Sequence, residues 1–200
     1  MNPRIAFIAA PLFVLAYGVI RILDGLDGSR GPGLAWTTGH LAFMAALILF
    51  ASTFLQMRRM AGRGTFSTVS AGLGIVGILT LLAQFGIDLV TGFMSADNAA
   101  MGVLFDQIQA VPGVSLVVYD GGPLLFFVAQ LALVTQLAVQ RHVKAWTPIL
   151  VLLDCIVPFF DKDLIPLGAL FLLISFAPLA GQASRAAKAA SAPAPAPALV

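Results

Sequence analysis

The stretch LAWTTGHLAFMAALILFASTFLQM, residues 34–57, followed at once by Arg58 and Arg59, decides the fold. It exceeds the roughly 20 mainly apolar residues that a helix needs to cross the hydrocarbon core of a bilayer. It contains no Asp, Lys or Arg. Its apolar residues do not alternate with polar ones, as the strands of a membrane barrel require. Within lipid only helices and closed barrels satisfy every backbone N–H and C=O, so the stretch reads as a transmembrane helix.

Five further runs of the same kind flank it, at residues 5–23, 65–93, 122–140, 145–160 and 164–184. The first follows Arg4 and is longer than the 7–15 apolar residues of a signal peptide. No small-x-small cleavage site follows it, so it is read as a retained helix. The whole 200-residue chain is 60% hydrophobic and only 10% charged, against roughly 25% charged in soluble domains. A water-soluble chain of this composition would expose apolar patches that monomers rarely tolerate. The expectation is an all-α integral membrane protein, a six-transmembrane-helix bundle spanning residues 1–184. A cytoplasmic Ala/Pro-rich tail, residues 185–200, is expected to be disordered, because repeated prolines favour polyproline II over a helix. The alanine-rich composition fits a bacterial chain.

The basic residues give the orientation. Arg4, then Arg58, Arg59 and Arg63, then Arg141 and Lys144, then Arg185 and Lys188 occupy alternate connections, while Arg21, Arg30 and Lys162 lie on the other side. Short cytoplasmic loops carry the Lys/Arg excess, which places both termini in the cytoplasm and the protein in the plasma membrane. All nine acids are aspartates, and all fall on or toward the outer side. The cluster Arg58, Arg59 and Arg63 is expected at anionic lipid headgroups. The basic residues are split among short connections, not gathered on a face or stripe, which argues against nucleic acid as a partner.

Between the third and fourth apolar runs, Met101, Leu104, Phe105, Ile108 and Val111 recur at helical spacing after Asp97, a candidate N-cap. Residues 97–111 are expected to form a short amphipathic helix on the outer membrane surface, ended by Pro112-Gly113. Asp120-Gly121-Gly122-Pro123 reads as a turn, with Pro123 in the first turn of the next helix.

Several motifs carry no chemistry. Gly72-x-Gly74-x-x-Gly77 matches a dinucleotide fingerprint in letters only, since that motif needs a βαβ unit. Inside a membrane helix it reads as close helix packing, with Ser70 and Gly74 as a small-xxx-small pair. The one cysteine, Cys155, lies in an apolar run and reads as a small buried hydrophobe. His40 and His142 fall at opposite ends of the helices, so they cannot share one haem, and no metal or other cofactor is expected. No nucleophile motif indicates an enzyme.

The remaining signal is polarity inside the membrane, where an ionisable group costs about 2.5–3.5 kcal/mol at the centre on insertion scales. Asp154 lies about 10 Å below the outer boundary at 1.5 Å per residue, and Asp88 is shallower. Gln84 precedes Asp88 by one helical turn and shares its face. Arg21, His40, Tyr17 and Gln130 belong to other helices at similar depths. These seven residues are the candidate polar pocket, with Arg21 the natural charge partner for Asp88 or Asp154. Such a pair would be a structural ion pair, whereas an aspartate left alone would be a proton-carrying site. The short fifth run and its prolines fit a transporter binding site, and a tilted bundle equally.

Three functions remain open on sequence alone. The first is a small carrier or solute- or ion-binding membrane protein with a polar pocket in the outer half of the bundle. The second is an accessory or assembly subunit, with a membrane-protein partner or a second copy of itself. The third is a membrane-embedded enzyme acting on outer-leaflet lipid, with His40 as base and an aspartate as orienter.

Overall fold

The computed structural model describes residues 3–26 and 28–191, and among them no residue is in a strand. Seven α-helices account for most of it: α1 Pro3–Asp24, α2 Leu34–Met60, α3 Thr65–Met94, α4 Asn98–Gln109, α5 Gly122–Val139, α6 Thr147–Phe160 and α7 Ile165–Ser191. Five helical segments are long and apolar enough to cross a membrane. The sixth apolar helix, α6, has 14 residues, about 21 Å at 1.5 Å per residue against a hydrocarbon core of about 30 Å.

Six helices close into a ring in the order α1, α2, α3, α5, α6, α7 and back to α1, with α2 also touching α5. Helix α4 stands outside the ring against α3. In each long segment only 33–39% of the most apolar window is buried inside the protein. The remainder is an apolar outer surface, including Leu34, Val139 and Phe160. Such an exterior suits lipid as solvent and is unsuited to water, so the architecture is compatible with a helical membrane protein.

Helices in lipid gain little from burying apolar surface against one another and associate through close packing. Glycines supply that closeness at three seams. Gly74 faces the Phe54 ring, Gly77 lies against the Phe126 backbone, and Gly122 lies against Thr80, which draws α3 onto α2 and α5. A Cβ on Gly18 would stand 2.7 Å from Pro166 Cδ, which marks the tight contact of α1 with α7. Gly72, in contrast, faces open space. Inside the ring Phe7 meets Phe176 edge-on at 5.5 Å, and Phe50 meets Phe126 at 5.1 Å.

The two ends of the ring are tied differently. At the end bearing the α2–α3 and α5–α6 connections, Gln140 Nε2 donates to the Ala61 carbonyl at 3.3 Å and Gln182 Nε2 donates to the His142 carbonyl. These amides satisfy carbonyls that the neighbouring helix ends leave open. At the opposite end Arg30 donates to both carboxylate oxygens of Asp163, at 2.7 and 2.6 Å. That fork clamps the α1–α2 connection to the α6–α7 turn.

Local chemistry sets the helix ends. Asp97 caps α4, its side chain accepting from Ala100 N at 2.8 Å. Gly113, with φ +86°, turns the chain after α4.

The structure corrects two expectations. Residues 120–123 do not form a turn. A π-helical segment, Ser115–Gly121, runs straight into α5, and Gly122 N–H reaches back to the Val117 carbonyl. Pro123 has no N–H, and its ring would crowd the carbonyl four residues earlier in an α-helix; the wider π register relieves that crowding. The expected disorder also begins too early, because α7 continues to Ser191. Residues 186–190 are four alanines and Lys188, and alanine is the best helix former. The remaining tail residues, 192–200, lie outside the described residues.

Candidate functional site

The ring is not solidly packed. Toward the end clamped by Arg30 and Asp163 it encloses a cavity of about 360 Å³ to which all six ring helices contribute. Tyr17 and Arg21 reach it from α1, His40 from α2, Gln84 and Asp88 from α3, and Asp154 from α6. Six of the seven polar residues singled out in the sequence therefore line one space. The seventh, Gln130, is fully buried just behind the wall, and its Nε2 donates to Asp154 Oδ2 at 3.1 Å.

Asp154 is the more deeply buried of the two wall carboxylates, only 8% exposed. Among the described residues no Lys, Arg or His nitrogen lies within ion-pairing distance of it. Its room comes from Gly168 on α7, where a Cβ would stand 2.9 Å from Asp154 Oδ1. The carboxyl is thus held between a neutral amide and a bare glycine.

Asp88 sits in different company. Tyr119, from the π-helical segment, donates its hydroxyl to Oδ1 at 3.4 Å, and His40 Nε2 lies 3.7 Å from Oδ2. His40 Nδ1 lies 2.7 Å from the Trp36 carbonyl. A carbonyl only accepts, so Nδ1 carries a hydrogen and Nε2 is the nitrogen presented to Asp88. Trp36 packs on His40 with centroids 4.1 Å apart and the rings tilted by 34°, and its indole N–H donates to the Asp88 carbonyl at 3.1 Å. The imidazole, the indole and the carboxylate thereby fix one another across the α2–α3 seam.

Arg21 is not the partner of Asp88 or Asp154. Its Nε lies 3.5 Å from Asp163 Oδ1, an ion-pair distance without hydrogen-bond geometry. Arg21 stands at the end of α1, and Asp163, in the short 3₁₀ turn Lys162–Leu164, is the carboxylate that faces it there. Burying a guanidinium deeper beside Asp154 would cost more desolvation than pairing it at the half-exposed mouth. Lys162, on the same turn, is exposed and lines the mouth.

Aromatic rings form much of the cavity wall. Phe43 stacks on Phe85 at 4.4 Å, and Tyr17 packs against both at 4.9 and 5.6 Å. Phe126 and Phe127 close the side toward Asp154. Sequence reasoning passed over Trp36, Tyr119 and Gly168. Apolar rings are common in every span, and a glycine's close approach becomes visible only when the facing helix is known. Tyr119 carried one usable signal, since it is one of only two tyrosines and adjoins Asp120. Among the described residues no three His, Cys or Asp side chains come together as a metal-ligand set. Comparison with protein families, with curated proteins and with solved structures finds no match to this chain.

Proposed function

We propose that this chain is a small solute-binding or carrier protein of the cytoplasmic membrane, with six spans and both termini inside. In this reading α6 crosses with local thinning or tilt. Helix α4 lies at the outer surface, and the cavity opens outward between Arg21 and Lys162. The basic connections, cross-tied by Gln140 and Gln182, face the cytoplasm as the charge rule requires. Arg59 and Arg63, both exposed, then meet anionic headgroups.

The observation that carries the reading is Asp154, a carboxyl buried in a cavity shared by six helices with no cationic partner among the described residues. Ionisable groups in membrane helices are costly and mark solute or ion paths. A structural aspartate would sit beside a cation, and Arg21, which lines the same cavity, is turned toward Asp163. The geometry is less favourable to a membrane enzyme. An aspartate orienting His40 as a base should take the Nδ1 hydrogen, but the Trp36 carbonyl takes it, and Asp88 faces Nε2 instead. That leaves the carboxylate where a substrate proton would have to sit.

The test is complementation of a deletion strain across a panel of solutes, comparing wild type with Asp154→Asn. The substitution keeps size and the hydrogen bond to Gln130, so the variant should accumulate normally yet fail wherever the wild type restores growth or uptake. Equal performance of the two, together with a stoichiometric co-purifying membrane partner, would replace this reading with the accessory-subunit one.

A further inference from the structure

We infer that the cavity takes a small organic ammonium ion, a protonated amine on an apolar body. This rests on the solute-binding reading and names its ligand class.

Three independent features of the wall point the same way. The first is charge. Arg21 is engaged by Asp163 at 3.5 Å, His40 stands 3.7 Å from Asp88, and Lys162 is exposed at the mouth. Of the two carboxylates on the wall, Asp88 has His40 Nε2 at 3.7 Å, whereas Asp154 has no Lys, Arg or His nitrogen within ion-pairing distance among the described residues, so a ligand bringing one positive charge supplies Asp154 with a counter-ion. An anionic ligand would add a charge opposite a carboxyl already lacking a counter-ion.

The second feature is the aromatic wall. Ring faces are negative, so they attract cations and repel anions, and aromatic cages are a recurrent way of holding ammonium groups. Tyr17, Phe43 and Phe85 pack with centroids 4.4–5.6 Å apart beside Asp88, and Phe126 and Phe127 lie toward Asp154. A carboxyl at each end of such a wall lets the ammonium pair with one while its apolar body lies on the rings.

The third is the hydrogen-bond balance. On the cavity wall Gln84 Oε1 is buried without a donor, while the one unmatched donor there, Arg21 Nε, already stands 3.5 Å from Asp163 Oδ1. An N–H-bearing cation supplies donors to such an acceptor, whereas a quaternary ammonium cannot. The volume, about 360 Å³, is at the low end for small-molecule pockets, which limits the ligand to a small amine.

Trp36 lines the cavity, whereas the second tryptophan, Trp146, adjoins the opposite end at the start of α6. A Trp146→Phe background therefore leaves Trp36 as a single reporter. The purified full-length chain in nanodiscs is titrated with 2-phenylethylammonium, with neutral 2-phenylethanol and with anionic 3-phenylpropanoate, and empty nanodiscs correct for partitioning. Saturable change in Trp36 emission should appear for the ammonium probe, at least tenfold tighter than for the alcohol. Asp154→Asn should remove that tenfold preference. The probe series on the unmodified site stands whether or not the variant folds. Alcohol or carboxylate binding as tightly as the ammonium would overturn the ammonium assignment and leave the solute-binding reading intact. Silence from all three probes would overturn the assignment, and solute-restored growth in the complementation test would show that the broader reading survives it.

Discussion

Gly168→Ala should damage the site through one atom. A Cβ at Gly168 would stand 2.9 Å from Asp154 Oδ1, but 3.4 Å from the Asp154 carbonyl oxygen and 3.5 Å from its Cα. The backbones of α6 and α7 already leave room for a methyl group. Only the carboxyl must move, by about 0.5 Å, to restore an ordinary 3.4 Å contact (3.4 − 2.9 = 0.5). Because the carboxyl is rigid, Oδ2 moves too, and its 3.1 Å bond from Gln130 lengthens toward about 3.6 Å, beyond hydrogen-bonding range. Gln130 is fully buried, and an unsatisfied buried amide costs about 1–3 kcal/mol. Ala for Gly inside a helix returns up to about 1 kcal/mol, so the net loss of stability should be modest, about 0–2 kcal/mol. A double-mutant cycle with Asp154→Ala separates the two contributions. With the carboxyl gone, Gly168→Ala keeps only the helical gain, so the coupling energy should reach about 1–3 kcal/mol. Equilibrium unfolding in mixed micelles measures the four corners of the cycle. Additivity within about 0.5 kcal/mol would refute the claim that Gly168 acts through the Asp154 carboxyl.

Three further outcomes follow from the packing and the charge distribution. Gly77→Leu, which forces a side chain into the Phe126 backbone, should destabilise the protein by about 1–3 kcal/mol or more. Gly72→Leu, five residues earlier and facing open space, should change it by no more than about 1 kcal/mol; similar unfolding midpoints would contradict the close α3–α5 seam. Asp163→Asn should weaken the fork from Arg30 at a cost of about 1 kcal/mol or less, because the pair is part-exposed, while hydrogen exchange quickens in residues 28–33. Unchanged protection there would mean that the fork does not hold the connection. In a Cys155→Ala background a membrane-impermeant maleimide should label Gln107→Cys on intact cells and Lys144→Cys only after permeabilisation; the reverse pattern would invert the proposed orientation.

The all-helical class and the long apolar helices were legible because a single physical constraint, backbone satisfaction in lipid, leaves few alternatives once apolar runs exceed a bilayer's thickness. What escaped sequence reasoning was local competition. Asp120-Gly121-Gly122-Pro123 has turn composition, yet the chain stays helical by widening one turn ahead of Pro123. Residues 185–191 lie next to a proline-rich end and read as tail, yet α7 runs through them to Ser191. In both places composition described the residues correctly, and the neighbouring helix decided the outcome.

The candidate site was legible in its members and not in their pairing. Depth along a helix can be counted at 1.5 Å per residue, so polar residues at matching depths on different helices can be grouped before any packing is known. Pairing depends on which helices are adjacent, that is, on ring order. Here α1 borders α2 and α7, not α3 or α6, so Arg21 meets the α6–α7 turn and its Asp163, not Asp88 or Asp154. The same ring order brings α7 against α6 with Gly168 opposite Asp154, where a larger residue would have displaced the carboxyl. Among the described residues the basic groups on the cavity wall thus stand at the mouth or beside Asp88, and the more buried carboxyl faces a neutral amide, a glycine and aromatic rings. In a medium that penalises every unmatched charge, that arrangement is a cost to the empty protein whenever Asp154 is ionised, and either a proton on the carboxyl or a bound cation removes it.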